Sequence, residues 1–170
     1  MTSKNFEYQQ FIPHSGVVMK PTAPDILGPF YKDKAPFRNT LSENPNLHLA
    51  GRVLDINGEP VKNAVLDFWQ ADENGTYDLE GFNLRGKVKV DEDGKYELHT
   101  IVPGDYAISD TEFRCAHIHV KISVKGYKGL TTQVYFADDK YNSTDHWFNA
   151  NRVISQDRVN GTFDFVIEKK

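Results

Sequence analysis

The chain predicts an all-β fold, an antiparallel β-sandwich with an irregular N-terminal arm and little helix, and three observations carry that prediction. Short runs of alternating or continuous apolar residues follow one another from Leu47 onward. Asx-Gly turns separate those runs at short intervals, and no amphipathic helical pattern of a dozen residues interrupts them. Before Leu47, prolines at 13, 21, 24, 29, 36 and 45 stand too close together for a long helix or a central strand. The chain therefore divides into an arm over residues 1–46 that packs on a core, and a β-sandwich domain over residues 47–170.

Each element follows from its own residues. Leu47 to Leu54 reads as the first strand, closed by the turn Asp55-Ile56-Asn57-Gly58, and Ala64 to Gln70 reads as the second, with Val65, Leu66, Phe68 and Trp69 supplying β-favouring bulk. Asp72-Glu73-Asn74-Gly75, Asp91-Glu92-Asp93-Gly94 and Pro103-Gly104-Asp105 punctuate strands near Gly86 to Val90 and Tyr96 to Ile101. A strand through His117-Ile118-His119 follows, then Leu130 to Phe136, and Thr162 to Glu168 closes the chain. Helical turns are expected within Asp138 to Asn149 alone. Within the arm, Gly28-Pro29-Phe30-Tyr31 sets two aromatics after a turn-forming pair, which suits covering the core or walling a pocket equally.

Composition narrows the functional classes. A length of 170 residues suits one hydrophobic core, and the net charge of −4 argues against a nucleic-acid or anionic-membrane partner, which would need a basic face. The single cysteine, Cys115, excludes an internal disulfide. The first twenty residues carry Lys4, Glu7 and Gln9 without an apolar core of signal-peptide length, and no stretch approaches a membrane span, so a cytoplasmic location is the expectation.

The stretch Arg114 to Ile122 concentrates the chemistry. Side chains of a strand alternate between faces, so Ile118, Val120 and Ile122 point one way while His117, His119 and Lys121 point the other, with the histidine Cα atoms about 6–7 Å apart. Such a pair can bite a metal, though solvent-facing strand histidines have the same pattern. The remaining histidines, His14, His48, His99 and His146, stand alone in sequence and read as surface or core residues. Further ligands would come from loops, where Tyr77 and Tyr106 each follow a turn. Phenolate and imidazole together point to Fe(III) rather than to zinc in a thiolate cage, because a trivalent ion lowers the phenol pKa far below its usual value of about 10. The spacing by itself serves ordinary turn packing of either tyrosine as well.

The ordered series Leu49-Ala50-Gly51-Arg52-Val53-Leu54-Asp55, Gly58-Glu59-Pro60-Val61, Trp69-Gln70-Ala71-Asp72 with Gly75-Thr76-Tyr77, Arg85-Gly86, Asp91 to Tyr96, Pro103-Gly104-Asp105-Tyr106, Arg114-Cys115-Ala116-His117-Ile118-His119 and Leu130 to Phe136 resembles the intradiol ring-cleavage dioxygenases, over residues 28 to 145. These are the non-haem Fe(III) enzymes that include catechol 1,2-dioxygenase and protocatechuate 3,4-dioxygenase. The resemblance implies that Tyr77, Tyr106, His117 and His119 ligate the iron. It implies that Arg114 lies beside the substrate as a catalytic residue, that Gln133 lines the same pocket, and that Gly28, Pro29, Phe30 and Tyr31 wall it, with either Tyr31 or Phe30 facing the ring. Tyr106 would leave the iron as substrate enters and take a proton from it. A catechol-type ring would then open between its two hydroxyl-bearing carbons with O2, giving a cis,cis-muconate-type dicarboxylate.

Departures from the family are also visible. No counterpart of the N-terminal helical region through which catechol 1,2-dioxygenases dimerise is seen, and the loop from Asp105 to Arg114 is short. The arm could cover a neighbouring chain's site in a homo-oligomer. Cys115 stands where a proline or small residue is expected, and a buried, inert thiol is the expectation there. Two other classes fit parts of the pattern. A non-catalytic β-sandwich binding module would share the scaffold but has no need of the four ligands together, and a cupin-like divalent-metal enzyme needs a carboxylate and a further histidine at suitable spacing.

Overall fold

The computed structural model describes residues 16–170. Pro13 and His14 lie outside the described residues. Among the described residues there are eleven strands: β1 Leu47–Asp55, β2 Val65–Gln70, β3 Arg85–Lys89, β4 Lys95–Thr100, β5 Tyr106–Ala107, β6 Phe113–Arg114, β7 His117–Ser123, β8 Leu130–Tyr135, β9 Ser155–Asp157, β10 Asn160–Thr162 and β11 Phe165–Ile167. The all-β sandwich expected from the sequence is what the chain forms. One sheet has the order β3-β2-β7-β8, every pair antiparallel, and the other joins β1 to β4, β10 and β11, with β9 beside β10. Leu49, Val53, Tyr96, Leu98 and Phe165 of the second sheet meet Leu66, Phe68, Ile118, Val120, Ile122 and Val134 of the first in one buried cluster. Each large side chain buried there contributes about 1.5–3 kcal/mol relative to exposure.

The turns form as their residues dictate. In Asp55–Gly58, Asp72–Gly75 and Asp91–Gly94 the aspartate Oδ1 accepts the amide two residues on and a second amide four residues on. The same local bond, three times over, sets three chain reversals.

Three elements differ from the sequence reading. The closing strand is two pieces, β10 and β11, each pairing parallel with β1. The break at Phe163-Asp164 has a cause: the Phe163 carbonyl sits where a Cβ at Gly51 would be, it accepts the Tyr96 hydroxyl at 2.7 Å, and Asp164 Oδ1 takes the Arg52 amide at 2.8 Å in place of a backbone carbonyl. The span Asp105 to Arg114 is not an open loop but the β5–β6 hairpin, which sets Tyr106 opposite Arg114. Among the described residues helix is confined to a 3₁₀ turn at Ala150–Arg152, just beyond the expected stretch, where Asn149 caps the Asn151 amide.

Residues 16–46 contain no strand of their own and run across both sheets. Met19, Thr22 and Asp25 donate backbone amides to Ile56, Val166 and Thr131, and Arg38, Leu41 and Asn46 do so to Lys87, His99 and Thr100. Leu41 enters the main core. Gly51→Ala should force the Phe163 carbonyl away from β1 and cost about 1–3 kcal/mol, read as a lower urea midpoint with an unchanged denaturant slope.

Candidate metal centre

The pleat of β7 places the site. Ile118, Val120 and Ile122 enter the core, so His117 and His119 project from the opposite, outer face of the sheet. Register extends that face across its neighbours, with His119 level with Trp69 of β2 and Gln133 of β8, His117 level with Tyr135, and Trp69 level with Arg85 of β3. These polar side chains are nonetheless buried, because the arm and the 137–153 segment lie over them.

Two turns bring in the phenols. Gly75 adopts φ +80°, and a Cβ there would collide with the Asp105 carbonyl and stand 2.8 Å from Tyr106 Cβ, so the Asp72–Gly75 turn packs directly on the Pro103–Asp105 turn. Tyr77 and Tyr106, which follow those turns, end with ring centroids 5.8 Å apart and nearly perpendicular. Tyr77 Oη lies 3.3 Å from His117 Nε2, which lies 3.2 Å from His119 Nε2, and the Tyr106 ring is 5.7 Å from that of His117. All four residues that the sequence singles out as ligands thus meet at one place.

The donor set suits a ferric ion. Donors that share one ion at about 2.1 Å stand about 3.0–3.6 Å apart, the spacing found from His117 Nε2 to Tyr77 Oη and to His119 Nε2. His117 Nδ1 donates to the Cys115 carbonyl at 2.7 Å, which turns the Nε2 lone pair inward and fixes the ring as a second-layer bond does for a ligating histidine. His119 Nδ1 is buried without a partner. If His119 is protonated there, two Nε2 lone pairs face each other at 3.2 Å; if it is protonated at Nε2, a buried acceptor is left empty. A cation between the nitrogens removes that conflict. Burial, then the charge of Arg114, holds the His117 pKa down to about 3, and burial, then the His117 charge, holds His119 well below its ordinary value, so both imidazoles are neutral and ready to ligate. Burial raises both phenols, with Tyr106 adding to the rise at Tyr77 and Arg114 opposing it at Tyr106, so a metal charge is what would ionise them.

Arg114 is buried beside this cluster. Its Nε donates to Asp145 Oδ2 at 2.9 Å, an Nη donates to Gln133 Oε1 at 2.5 Å, and the guanidinium lies over the Trp147 ring. Burial alone would lower the Arg114 pKa, but the Asp145 bond and charge hold it above its ordinary value. Gln133 is itself fully buried, with Tyr135 Oη 3.2 Å from its Oε1 and its amide nitrogen donating to the Ile26 carbonyl at 3.4 Å, so its amide ties Arg114 to the arm. Phe30 stacks on Tyr77 at 4.5 Å and meets the Tyr106 ring edge-on, whereas Tyr31 turns aside to Trp69 and donates to Asp67. Of the two aromatics, Phe30 is the one against the phenols. A Cβ at Gly28 would stand 3.5 Å from His119 Cε1, and Pro29 is exposed at the turn between them. Cys115 is buried, with its Sγ 3.2 Å from Asp145, and burial followed by that carboxylate pushes its thiol far up.

Asp145 is the residue that the sequence did not reveal. It lies in a polar, aperiodic segment with no motif to mark it, yet its Oδ2 accepts from Arg114 Nε, the Cys115 amide and the Cys115 thiol, while Oδ1 accepts the Trp147 amide. Trp69, stacked on His119 at 4.8 Å, and Arg85, which donates to the Phe30 carbonyl, complete the surroundings. His48 and His99, solitary in sequence, stand opposite each other on β1 and β4, and the exposed His146 ring lies against Trp147, tilted by 35°.

The fold and site define a β-sandwich that gathers two buried histidines and two tyrosines on the covered outer face of one sheet. A family model described as Dioxygenase (Dioxygenase_C) matches residues 26–168. The chain is 34% identical to 6-chlorohydroxyquinol 1,2-dioxygenase of Cupriavidus pinatubonensis, over 86% of this chain and 64% of that protein, and 33% identical to chlorocatechol 1,2-dioxygenase of Rhodococcus opacus, over 73% and 60%. Among solved structures it is similar to the dioxygenase domain of a dioxygenase and carbohydrate-binding protein fusion from Streptomyces sp. SirexAA-E, with TM-score 0.79 and 36% identity over 89% of this chain and 100% of that one. It is also similar to 3-chlorocatechol 1,2-dioxygenase from Rhodococcus opacus 1CP, with TM-score 0.82 and 28% identity over 88% and 73%. The chain belongs to the intradiol ring-cleavage dioxygenase family. It spans between half and two-thirds of the length of the curated relatives it matches. Among the described residues no helix is long and apolar enough to cross a membrane.

Two outcomes follow from the buried charges. His117 and His119 bind protons less readily folded than unfolded, so stability of the metal-free protein is complete above about pH 6.5 and falls as the pH drops below it, by up to about 1.4 kcal/mol per pH unit for each imidazole. Urea midpoints taken from pH 7 to 5 should show this fall. Asp145→Asn should leave Arg114 buried without its counter-charge and cost about 3–5 kcal/mol, read by thermal unfolding.

Proposed function

We propose that this chain is a non-haem Fe(III) intradiol dioxygenase acting on a catechol-type ring, with residues 47–170 as the catalytic β-sandwich and the described part of the N-terminal arm, residues 16–46, packed on it. The convergence of Tyr77, Tyr106, His117 and His119 beside the buried guanidinium of Arg114 carries this reading. The names of the relatives, which act on catechol, chlorocatechol and hydroxyquinol, support a ring with adjacent hydroxyls. The product is a cis,cis-muconate-type dicarboxylate, formed as the ring opens between its hydroxyl-bearing carbons with both atoms of O2.

Tyr77, Tyr106, His117 and His119 are the residues that would hold the iron. When bound, the ferric ion supplies the Lewis acidity that ionises a catechol and the electron demand that makes its ring reactive toward O2. The protein's own residues then have separate tasks. Tyr77, His117 and His119 are almost fully buried and stay in place, while Tyr106 is less buried and stands on a two-residue strand, so it is the one free to move. Its Oη accepts a proton from an incoming substrate hydroxyl, in line with the family's pattern. Arg114, oriented by Asp145 and Gln133, places fixed positive charge where the anionic ring develops, in a site shielded from water. Phe30, stacked on Tyr77, and Gly28 and Pro29 beside it wall the substrate site and keep bulk water from the phenols. Gln133 positions Arg114, and Tyr31 braces the wall through Trp69.

The test is a visible spectrum of the iron-loaded protein. A broad tyrosinate-to-iron band should appear, move to longer wavelength when catechol is added without oxygen, and be weakened by Tyr77→Phe. Tyr106→Phe should keep a coloured protein but slow turnover. An iron-loaded protein that stays colourless would overturn the proposal.

A further inference from the structure

The outer face of the second sheet carries a separate cluster of metal-ligating side chains. Along β1 the residues alternate, with Leu47, Leu49 and Gly51 inward and His48, Ala50 and Arg52 outward; along β4, Tyr96 and Leu98 are inward while Lys95, Glu97 and His99 are outward. The antiparallel register sets His48 directly across from His99 and Ala50 across from Glu97. The two imidazoles lie parallel, with centroids 4.4 Å apart and planes inclined by 4°. Ala50 offers Glu97 no cross-strand partner, and its carboxylate leans along the face to reach 3.7 Å from His48 Nε2 and 4.0 Å from His99 Nε2. One ligand atom from each of the three residues falls within 4.8 Å of the others.

We propose that His48, Glu97 and His99 form a second metal site, for a borderline divalent transition ion such as Zn2+. Two imidazole nitrogens and one carboxylate oxygen are the donors that zinc takes, with the remaining position open to water. His48 Nε2 is shielded from solvent and has no hydrogen-bond partner, so a buried nitrogen lone pair or N–H is left unsatisfied in the metal-free arrangement. Drawing the three donors from within 4.8 Å to the ~3–3.6 Å of a shared ion takes small side-chain rotations, because Glu97 is open to solvent, His99 is half-buried and the strands hold their Cα positions. The site ties β1 to β4 on the side away from the phenol-lined centre, and it stands independently of the dioxygenase reading.

The experiment is calorimetric titration of the full chain with Zn2+ after its ferric site has been saturated with iron. The wild-type protein should take up one Zn2+ per chain and gain a few degrees in unfolding temperature. Glu97→Gln and His99→Gln should each weaken that uptake at least about tenfold, with metal-free unfolding temperature and iron colour unchanged. Replacing Zn2+ by Cu2+ should give an electron paramagnetic resonance signal with two-nitrogen coupling that falls to one-nitrogen coupling in His99→Gln. No Zn2+ uptake by the wild type, or uptake equally strong in both variants, would overturn the proposal.

Discussion

A shift of β7 by one residue against β2 and β8 would turn His117 and His119 into the core and push Ile118, Val120 and Ile122 outward. That parity is held from both sides, by six register pairs with β2 and six with β8, and by apolar side chains of the inner face that bury completely. The hydrophobic effect therefore sets where the imidazoles point, although neither imidazole takes part in the core. Because Trp69, Gln133 and Tyr135 sit level with the histidines, the same parity also supplies the aromatic wall and the hydrogen bonds around them.

An outer sheet face lined with histidines, phenols and an arginine would ordinarily be wet. Here it is covered, and the cover is fastened by polar contacts rather than by apolar packing alone. Asp25 of the arm pairs with Arg152 at 2.7 Å, with both side chains buried, and the Tyr135 hydroxyl donates to the Trp147 carbonyl at 2.7 Å beneath them. Arg85 reaches from β3 to the Phe30 carbonyl at 2.6 Å. Buried ion pairs add little net stability compared with apolar residues, but they admit few alternative geometries, which suits an arm whose proline-rich backbone forms no ladder of its own.

The covered site leaves some groups unsatisfied. His119 Nδ1 and one Arg85 nitrogen have no partner, and the His117 and His119 nitrogens face each other at close range. Such arrangements cost stability in the metal-free chain, and they are the features by which the donor set differs from a merely well-packed polar cluster. The Arg114–Asp145 pair beside it shows the opposite condition, since every acceptor position used on Asp145 is matched by a donor.

How much was legible in the residues follows from the range of the interactions involved. Strand alternation and the three Asp-x-x-Gly turns depend on neighbours within four residues, so the sandwich, the outward histidines and the turns before Tyr77 and Tyr106 could be read directly. That both tyrosines gather with the histidines was an expectation from the family resemblance; spacing alone left ordinary turn packing open. The meeting of those turns at Gly75, the break in the closing strand over Gly51, the choice of Phe30 over Tyr31 against the phenols, and the capture of Arg114 by Asp145 all join residues far apart in the chain. So does the pairing of His48 with His99, which no spacing announces because it arises from the register of two strands. Local chemistry determined the elements and their faces; only tertiary packing, which brings distant side chains to within hydrogen-bond range, decided which of them share a site.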